Sequence, residues 1–128
     1  MTAEAVGEHR LRRQQGGRGY FGHAKVRLVR REAGSPAVVW AVPADDRASV
    51  QPGTDAEFVD AAIAGAEEGL RLLADPDHAV RLEQVLMNLA DIDATATRAA
   101  ATLAVLNAAG VDDRYVSTFD GGWQVVPA

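Results

Sequence analysis

The sequence predicts an α+β domain in which a mixed or antiparallel sheet is covered by two helices, with an additional β-hairpin at the C-terminus. Three observations predict this class. Two strand-like segments flank a glycine-rich turn within residues 8–31, two segments of helical period follow at 54–74 and 93–109, and two further strand-like segments flank Asp120-Gly121-Gly122. A chain of 128 residues matches the size of one domain with its own core, so residues 1–128 are expected to form a single domain.

The first predicted element is the β-hairpin at residues 8–31. Its turn, residues 16–19, contains three glycines, which can adopt the positive φ angles of a tight turn. In the outgoing arm apolar and basic residues alternate with the period of a half-buried strand. The apolar face holds Ala24, Val26 and Leu28, and the other face holds Lys25 and Arg27. A second, short strand is predicted at residues 37–42, between two prolines.

The first helix is predicted at residues 54–74. Thr54 and Glu57 have the spacing of a capping box, and Asp75-Pro76 marks the end. Small residues on its apolar face would let this helix lie close to a sheet; they are Gly65, Ala66 and Gly69. The second helix is predicted at residues 93–109. Its expected N-cap is Asp93, and Gly110 suits the position just past its end.

Residues 79–90 fit two patterns. Leu82, Val85, Leu86 and Leu89 follow helical spacing, whereas Val85, Met87 and Leu89 alternate as in a strand. Residue propensities favour the helix slightly. The last segment, residues 111–128, is expected to hold a hairpin with arms at 115–119 and 123–126.

Composition excludes several classes of protein and of site. The chain has no cysteine, which excludes disulfides, thiolate metal sites and cysteine nucleophiles. No apolar run approaches the ~20 residues of a membrane span, and the N-terminus lacks the pattern of a secretory signal, so we expect a cytoplasmic protein that does not contact a membrane. The three histidines, His9, His23 and His78, lack metal-ligand spacing, so no metal site is predicted.

The net charge of −5 is distributed unevenly along the chain. Residues 1–31 carry eight basic and two acidic residues, a net charge of +6, whereas the other 97 residues carry −11. A basic first quarter on an acidic body indicates a face that can bind a polyanion. A solvated strand face that pairs with the acidic helices gives the same pattern.

Short motifs in the sequence match catalytic or nucleotide-binding patterns, but the residues around them do not fit such sites. Gly17–Gly22 matches the spacing G-x-G-x-x-G, but no buried strand precedes it and no helix follows it, so no nucleotide is expected. Asp91 and Asp93 are explained by capping and turn formation, and no serine lies in a nucleophile elbow. The sequence therefore predicts no catalytic residue, no cofactor and no enzyme activity; an enzyme that uses a pocket between sheet and helices ranks last among the hypotheses.

The segment at residues 14–23 combines a glycine turn, polar amides, an arginine and two aromatic residues. Single-stranded RNA or a phosphate turn can use arginine beside stackable rings, although a plain hairpin turn has the same composition. Residues 13–26 read RQQGGRGYFGHAKV, which resembles the signature of the fourth domain of bacterial elongation factor G. The resemblance continues more loosely through residues 52–59 and 62–70, and it covers about residues 11–109.

The resemblance implies a specific topology and location. The family fold is a sheet covered by two helices with a left-handed β-α-β crossover, which would make residues 79–90 a strand. In the family this domain enters the decoding centre of the small ribosomal subunit and mimics part of a tRNA during translocation, with two loops at its tip. Those loops correspond to residues 14–22 and 88–93 here.

This sequence departs from the family pattern in three ways. Tyr20 stands where the family has a glutamine, and the second loop is several residues shorter and lacks the family's histidine. The sequence also holds no counterpart of the factor's GTPase, second, third or fifth domains, so translocation driven by GTP is not expected.

The residues and the resemblance together predict a non-catalytic protein that binds the ribosome or another structured RNA through the basic hairpin. The predicted RNA contacts are Arg12, Arg13, Gln14, Arg18, Tyr20, Phe21, His23, Lys25, Arg27 and Arg30, with Tyr20 or Phe21 stacking on bases. The alternative is a protein-interaction or self-associating module, a homo-oligomer for example, that keeps the fold without binding the ribosome. In that case the C-terminal hairpin is expected to pair with or cover a sheet edge.

Overall fold

A computed structural model describes residues 4–128, and this part of the chain has the mixed sheet and separate helices of an α+β fold. The elements follow in the order β1 (Ala5–Gln15), β2 (Arg18–Arg30), β3 (Val38–Trp40), α1 (Ala56–Leu73), β4 (His78–Gln84), α2 (Ala94–Ala108), a 3₁₀ helix (Asp112–Arg114), β5 (Tyr115–Phe119) and β6 (Trp123–Pro127). None of the described helices is long and apolar enough to cross a membrane.

Four of the strands form one mixed sheet in the order β1-β2-β4-β3. β2 pairs antiparallel with both β1 and β4, whereas β3 and β4 are parallel. Parallel neighbours cannot be joined by a tight turn, and α1 makes the crossover between them. The predicted class, a mixed sheet with two helices and a separate C-terminal hairpin, is confirmed.

The core lies between the sheet and the two helices. The apolar face predicted for the first hairpin is confirmed, because Ala24, Val26 and Leu28 are buried in this core. Their neighbours in the core come from both helices and from β4, among them Ala62, Ala66, Val80, Leu82, Ala104 and Val105. The opposite face of the sheet carries Lys25 and Arg27, as their alternation predicted.

Helix α2 lies directly on β1 and β2 because glycines of the sheet leave room for its backbone. A Cβ atom at Gly22 would lie 2.2 Å from the carbonyl oxygen of Ala96, and one at Gly7 would lie 2.1 Å from that of Ala104. The glycines of α1 serve another purpose than predicted. A Cβ atom at Gly65 would lie 2.1 Å from the carbonyl oxygen of Arg98, and one at Gly69 would lie 2.7 Å from the Cβ atom of Val105, so these two glycines face α2 and not the sheet.

The two helices begin differently. The Asp93 carboxylate accepts a hydrogen bond from the backbone N–H of Ala96 (3.0 Å), which confirms the predicted N-cap of α2. The capping box predicted at Thr54 and Glu57 is wrong: α1 starts after Asp55, which makes no side-chain capping bond. The Asp55 carboxylate instead accepts from the hydroxyl of Thr54 (3.0 Å) and from a loop N–H, so Thr54 is not free to cap.

Residues 78–84 form a strand, so the helix that propensity favoured is wrong. The strand that the resemblance implied over residues 79–90 is right as far as Gln84, and residues 85–90 belong to neither a strand nor a helix. β4 has β2 on one side and β3 on the other, and both neighbours bond to its backbone. Val80 and Leu82 are fully buried against the helices. Pairing on both sides outweighs an intrinsic helix preference of a few tenths of a kcal/mol per residue.

The C-terminal hairpin forms a two-stranded sheet of its own. It extends neither edge of the four-stranded sheet within the chain. It covers the start of α2 instead, where the N–H of Trp123 donates to the hydroxyl oxygen of Thr95 (2.8 Å). A second, smaller apolar cluster forms there from Leu11, Tyr20, Ala96, Ala99, Ala100 and Trp123.

Candidate nucleic-acid interface

The first hairpin ends in a two-residue turn. Gly16 and Gly17 have φ angles of 60° and 79°, and Gln15 pairs directly with Arg18. Positive φ at both central residues is the requirement of a type I′ turn, which follows the right-handed twist of the two strands. Arg18 and Gly19 belong to β2, so the turn is tighter than the four residues predicted from the sequence.

The second loop, residues 88–93, lies against the outer end of this hairpin. The N–H of Phe21 donates to the carbonyl oxygen of Asp91 (2.8 Å), and the N–H of Asp93 donates to the carbonyl oxygen of Phe21 (3.1 Å). A Cβ atom at Gly19 would lie 2.8 Å from the Asp91 carboxylate, so a larger residue there would have to displace that side chain. The structure therefore brings together the two loops that the resemblance implied.

His23 is fully buried and binds the segment that leads from β4 into the second loop. Its Nε2 lies 2.6 Å from the Glu8 carboxylate, and its Nδ1 accepts from the N–H of Leu86 at 3.2 Å. These bonds assign the neutral tautomer with the proton on Nε2. Burial lowers the pKa of His23 although Glu8 opposes the shift, and the hydrogen bond from His23 lowers the pKa of Glu8.

Arg12, Arg13 and Arg18 are exposed beside the turn. Arg12 and Arg13 point to opposite faces of β1, because successive side chains of a strand do so. Neither makes an ion pair with any residue between 4 and 128. Arg18 is 63% exposed, lies 3.7 Å from the Asp93 carboxylate and places its guanidinium 4.8 Å from the centre of the Tyr20 ring. Gln14 is also exposed, next to the turn.

The aromatic and histidine contacts predicted at this site are buried. Tyr20 packs against Phe119 and Trp123 in the second cluster, with ring centres 5.3 and 5.9 Å away. Phe21 is 3% exposed, and the guanidinium of Arg10 lies 5.9 Å from its ring centre. With His23 also buried, none of these three rings offers an open face to a base.

The remaining predicted contacts lie farther from the turn. Arg27 donates to the Glu83 carboxylate (2.9 Å) and lies 3.6 Å from that of Glu4; the bond to Glu83 raises its pKa. Lys25 is half-buried opposite Glu8 in the ladder. Arg30 lies at the other end of β2, about 40 Å from Arg18 at the rise of an extended strand. These cations do not belong to the group at the turn.

Two exposed residues of this region were missed by sequence reasoning. Arg10 lies two residues before Arg12 on the same face of β1, a spacing that could have included it. Leu89 is 93% exposed in the second loop, whereas its place in the apolar pattern predicted burial. Within residues 4–128 no three histidine, aspartate or glutamate side chains gather as metal ligands.

Comparison with known proteins supports the fold and goes no further. No protein-family model matches the chain, and no curated protein matches it. Among solved structures, the chain is similar to a crystal structure of a protein from Thermus thermophilus, with a TM-score of 0.67 and 18% sequence identity. The match covers 98% of this chain but 23% of the Thermus protein, so this chain corresponds to about a quarter of that protein's length.

Proposed function

We propose that this protein is a non-catalytic domain, like the fourth domain of elongation factor G, that binds ribosomal or other structured RNA through the outer end of its first hairpin. The observation that carries the proposal is the group formed by Arg12, Arg13 and Arg18, exposed around a two-residue turn. Arginine forks bind phosphate oxygens in pairs, and the paired strands hold the backbone from which these side chains extend.

The charge around the turn favours a polyanion more than the charge of the whole chain does. Asp93, the carboxylate near Arg18, is already engaged by the N–H of Ala96 and the hydroxyl of Thr95 as well as by Arg18 itself. The remaining body is acidic, which directs an RNA backbone to this end of the molecule. Because the neighbouring rings are buried, the proposed contact is to phosphates and not to stacked bases.

Salt-dependent binding tests the proposal. Fluorescence anisotropy of a labelled RNA stem-loop, and cosedimentation with bacterial small ribosomal subunits, would be measured as KCl is raised. Three phosphate contacts predict a slope of about −2 to −3 in a plot of log affinity against log salt. We expect the triple variant Arg12, Arg13 and Arg18→Gln to lose at least about tenfold in affinity at low salt and most of that slope.

A matched control separates this site from general charge. Exposed arginines elsewhere can be replaced in the same number, as Arg47, Arg71 and Arg114→Gln. This control has the same net charge as the test variant and should keep the wild-type slope. Equal losses in the two variants, or a wild-type affinity that ignores salt, would contradict the proposal.

Self-association is the second candidate, and the sheet face opposite the helices favours it. Val6 is 45% exposed there, and a shallow depression of about 680 Å³ is lined by Val29, Val39, Arg27, Arg81 and Glu83. Light scattering over a range of protein concentrations tests this candidate. A dimer that Val6→Asp dissociates would support it, and a monomer at every concentration would argue against it.

A further inference from the structure

The two edges of the four-stranded sheet differ in length. β3, at one edge, has three residues, and so short an edge offers little to a further strand. β1, at the other edge, has eleven residues. An edge strand presents the N–H and C=O groups that face away from its neighbour, so the outer edge of β1 is where a further strand can be added to this sheet.

The register of the first hairpin determines which backbone groups of β1 face outward. Gln15 and Arg18 close a two-residue turn and therefore form a hydrogen-bonded pair, and such pairs recur at every second residue of the ladder. The residues between these pairs direct their N–H and C=O groups away from β2. Toward the turn they are Arg10, Arg12 and Gln14.

Two observed contacts agree with this register. Phe21, which pairs with Arg12, bonds to the second loop through both its N–H and its C=O, so the backbone groups of this pair point away from each other. Glu8 donates its N–H across the outer edge to the side-chain oxygen of Asn107 (3.1 Å). Asn107 thus covers the edge at Glu8, whereas the outward N–H groups of residues 10–14 have no partner within residues 4–128.

This open part of the edge, residues 10–14, carries positive charge. Leu11 is buried in a cluster with residues of α2, so Arg10, Arg12 and Gln14 project from the opposite face of the sheet, where all three are exposed. Pairing two copies of the chain along this part brings their arginines together, and like charges on neighbouring strands destabilise a sheet. A strand with acidic side chains at alternate positions, opposite Arg10 and Arg12, fits instead.

A polypeptide strand also fits the outward backbone groups better than an RNA backbone does. The edge presents both N–H donors and C=O acceptors, and a strand supplies the complement of each. Phosphate oxygens only accept hydrogen bonds, so they would leave the outward carbonyl groups unpaired. The carbonyl of Arg12 accepts at present from the guanidinium of Arg13 (3.1 Å), an exposed contact that a partner strand can replace.

We propose that the outer edge of β1, from Arg10 to Gln14, binds an extended acidic segment of another protein, which adds a fifth strand to the sheet. This inference goes beyond the proposed RNA binding and does not rest on it. Backbone hydrogen bonds supply affinity, and carboxylates opposite Arg10 and Arg12 set the register. Because Arg12 also belongs to the group at the turn, the segment and an RNA should compete.

A short labelled peptide in which glutamate alternates with valine and threonine tests the proposal by fluorescence anisotropy. One control peptide has glutamine in place of glutamate, and another keeps the glutamates but is N-methylated at the amides that would bond to β1. We expect each control to bind at least about tenfold more weakly than the test peptide. In the complex, amide hydrogen exchange measured by NMR should slow at Arg10, Arg12 and Gln14.

Variants of the protein test the charge pairing. The double variant Arg10 and Arg12→Glu should bind the acidic peptide at least about tenfold more weakly and should bind a matching lysine peptide more tightly than the wild type does. Arg47 and Arg71→Glu replaces two exposed arginines outside the sheet, has the same net charge, and should bind the acidic peptide as the wild type does. Circular dichroism and the thermal midpoint establish that both variants are folded.

Several outcomes would overturn the inference without touching the proposed function. Equal affinity for the N-methylated peptide would show that only charge attracts the peptide, and slowed exchange confined to other residues would place it elsewhere. Exchange at Arg10, Arg12 and Gln14 that slows with protein concentration alone would assign the edge to a second copy. Slowing with an RNA stem-loop but not with the peptide would assign it to RNA.

Discussion

The inner part of the β1–β2 hairpin, residues 5–11 and 22–30, and its outer end, residues 12–19, consist of the same two strands but are held by different forces. Helix α2 lies on the inner part so closely that Gly22 has no room for a side chain. At the outer end, Gly17 faces open space and is required only for its positive φ angle. The comparison teaches that packing against α2 fixes the inner part, whereas at the turn a positive φ angle is the main requirement and the arginines beside it, Arg12, Arg13 and Arg18, stay exposed.

The largest expected effect separates these two roles of glycine. Gly22→Ala places a Cβ atom 2.2 Å from the carbonyl of Ala96, so α2 must shift, and we expect a loss of about 3 kcal/mol in unfolding free energy. Gly17→Ala meets no atom and is strained only by its φ of 79°, so we expect a loss of about 1 kcal/mol. Urea unfolding of both variants measures the difference. Equal losses in unfolding free energy would mean that the close contact between Gly22 and α2 contributes no more to stability than the conformation of the turn does.

The next effect concerns His23 of the inner part, whose Nδ1 accepts a hydrogen bond from the N–H of Leu86. Its pKa is lowered by burial in the folded protein, so below pH 6.5 the unfolded chain takes up a proton more readily than the folded one. The contribution of His23 is complete above pH 6.5 and is lost as the pH falls through its lowered folded value. Protonated Nδ1 cannot accept from the N–H of Leu86, so amide exchange in residues 86–92 should rise over the same range.

His23→Leu is the control for this pH dependence. At pH 7.5 it leaves the N–H of Leu86 without its acceptor and should cost about 2 kcal/mol. The variant should lose most of the decline in stability below pH 6.5. His9 retains a part of it, because burial and the nearby Arg13 lower its pKa as well. An unchanged decline would assign the pH dependence to groups other than His23.

Local patterns predicted the parts of the fold that depend on near neighbours. The alternation of Ala24, Val26 and Leu28, and the cap at Asp93, could be predicted because period and capping act within a few residues. β4 could not be predicted from pattern alone, because its strand conformation depends on bonds to β2 and β3, which are distant in sequence. Only the resemblance to a known family supplied that information.

The candidate site likewise has features that the sequence could predict and others that depend on residues distant in sequence. The exposed arginines of the turn follow from a hairpin whose end lies beyond the core, so the sequence could indicate them. The burial of Tyr20 depends on Phe119 and Trp123, and that of His23 on its contacts with Glu8 and Leu86. These contacts join residues that are distant in sequence, so no local pattern could predict them. The residues that were predicted to stack on bases are therefore buried and not exposed.

The smallest expected effect on stability belongs to the residues with the largest expected effect on binding. Arg12, Arg13 and Arg18→Gln should change the unfolding free energy by no more than about 0.5 kcal/mol, because exposed side chains outside the core contribute little. Within residues 4–128 the variant removes one ion pair, Arg18 with Asp93, and its arginine is 63% exposed, so solvent screens the pair. Urea unfolding of the triple variant measures the change. A loss near that of Gly22→Ala would mean that these arginines hold the outer end in place, and a drop in RNA affinity could then no longer be attributed to lost phosphate contacts.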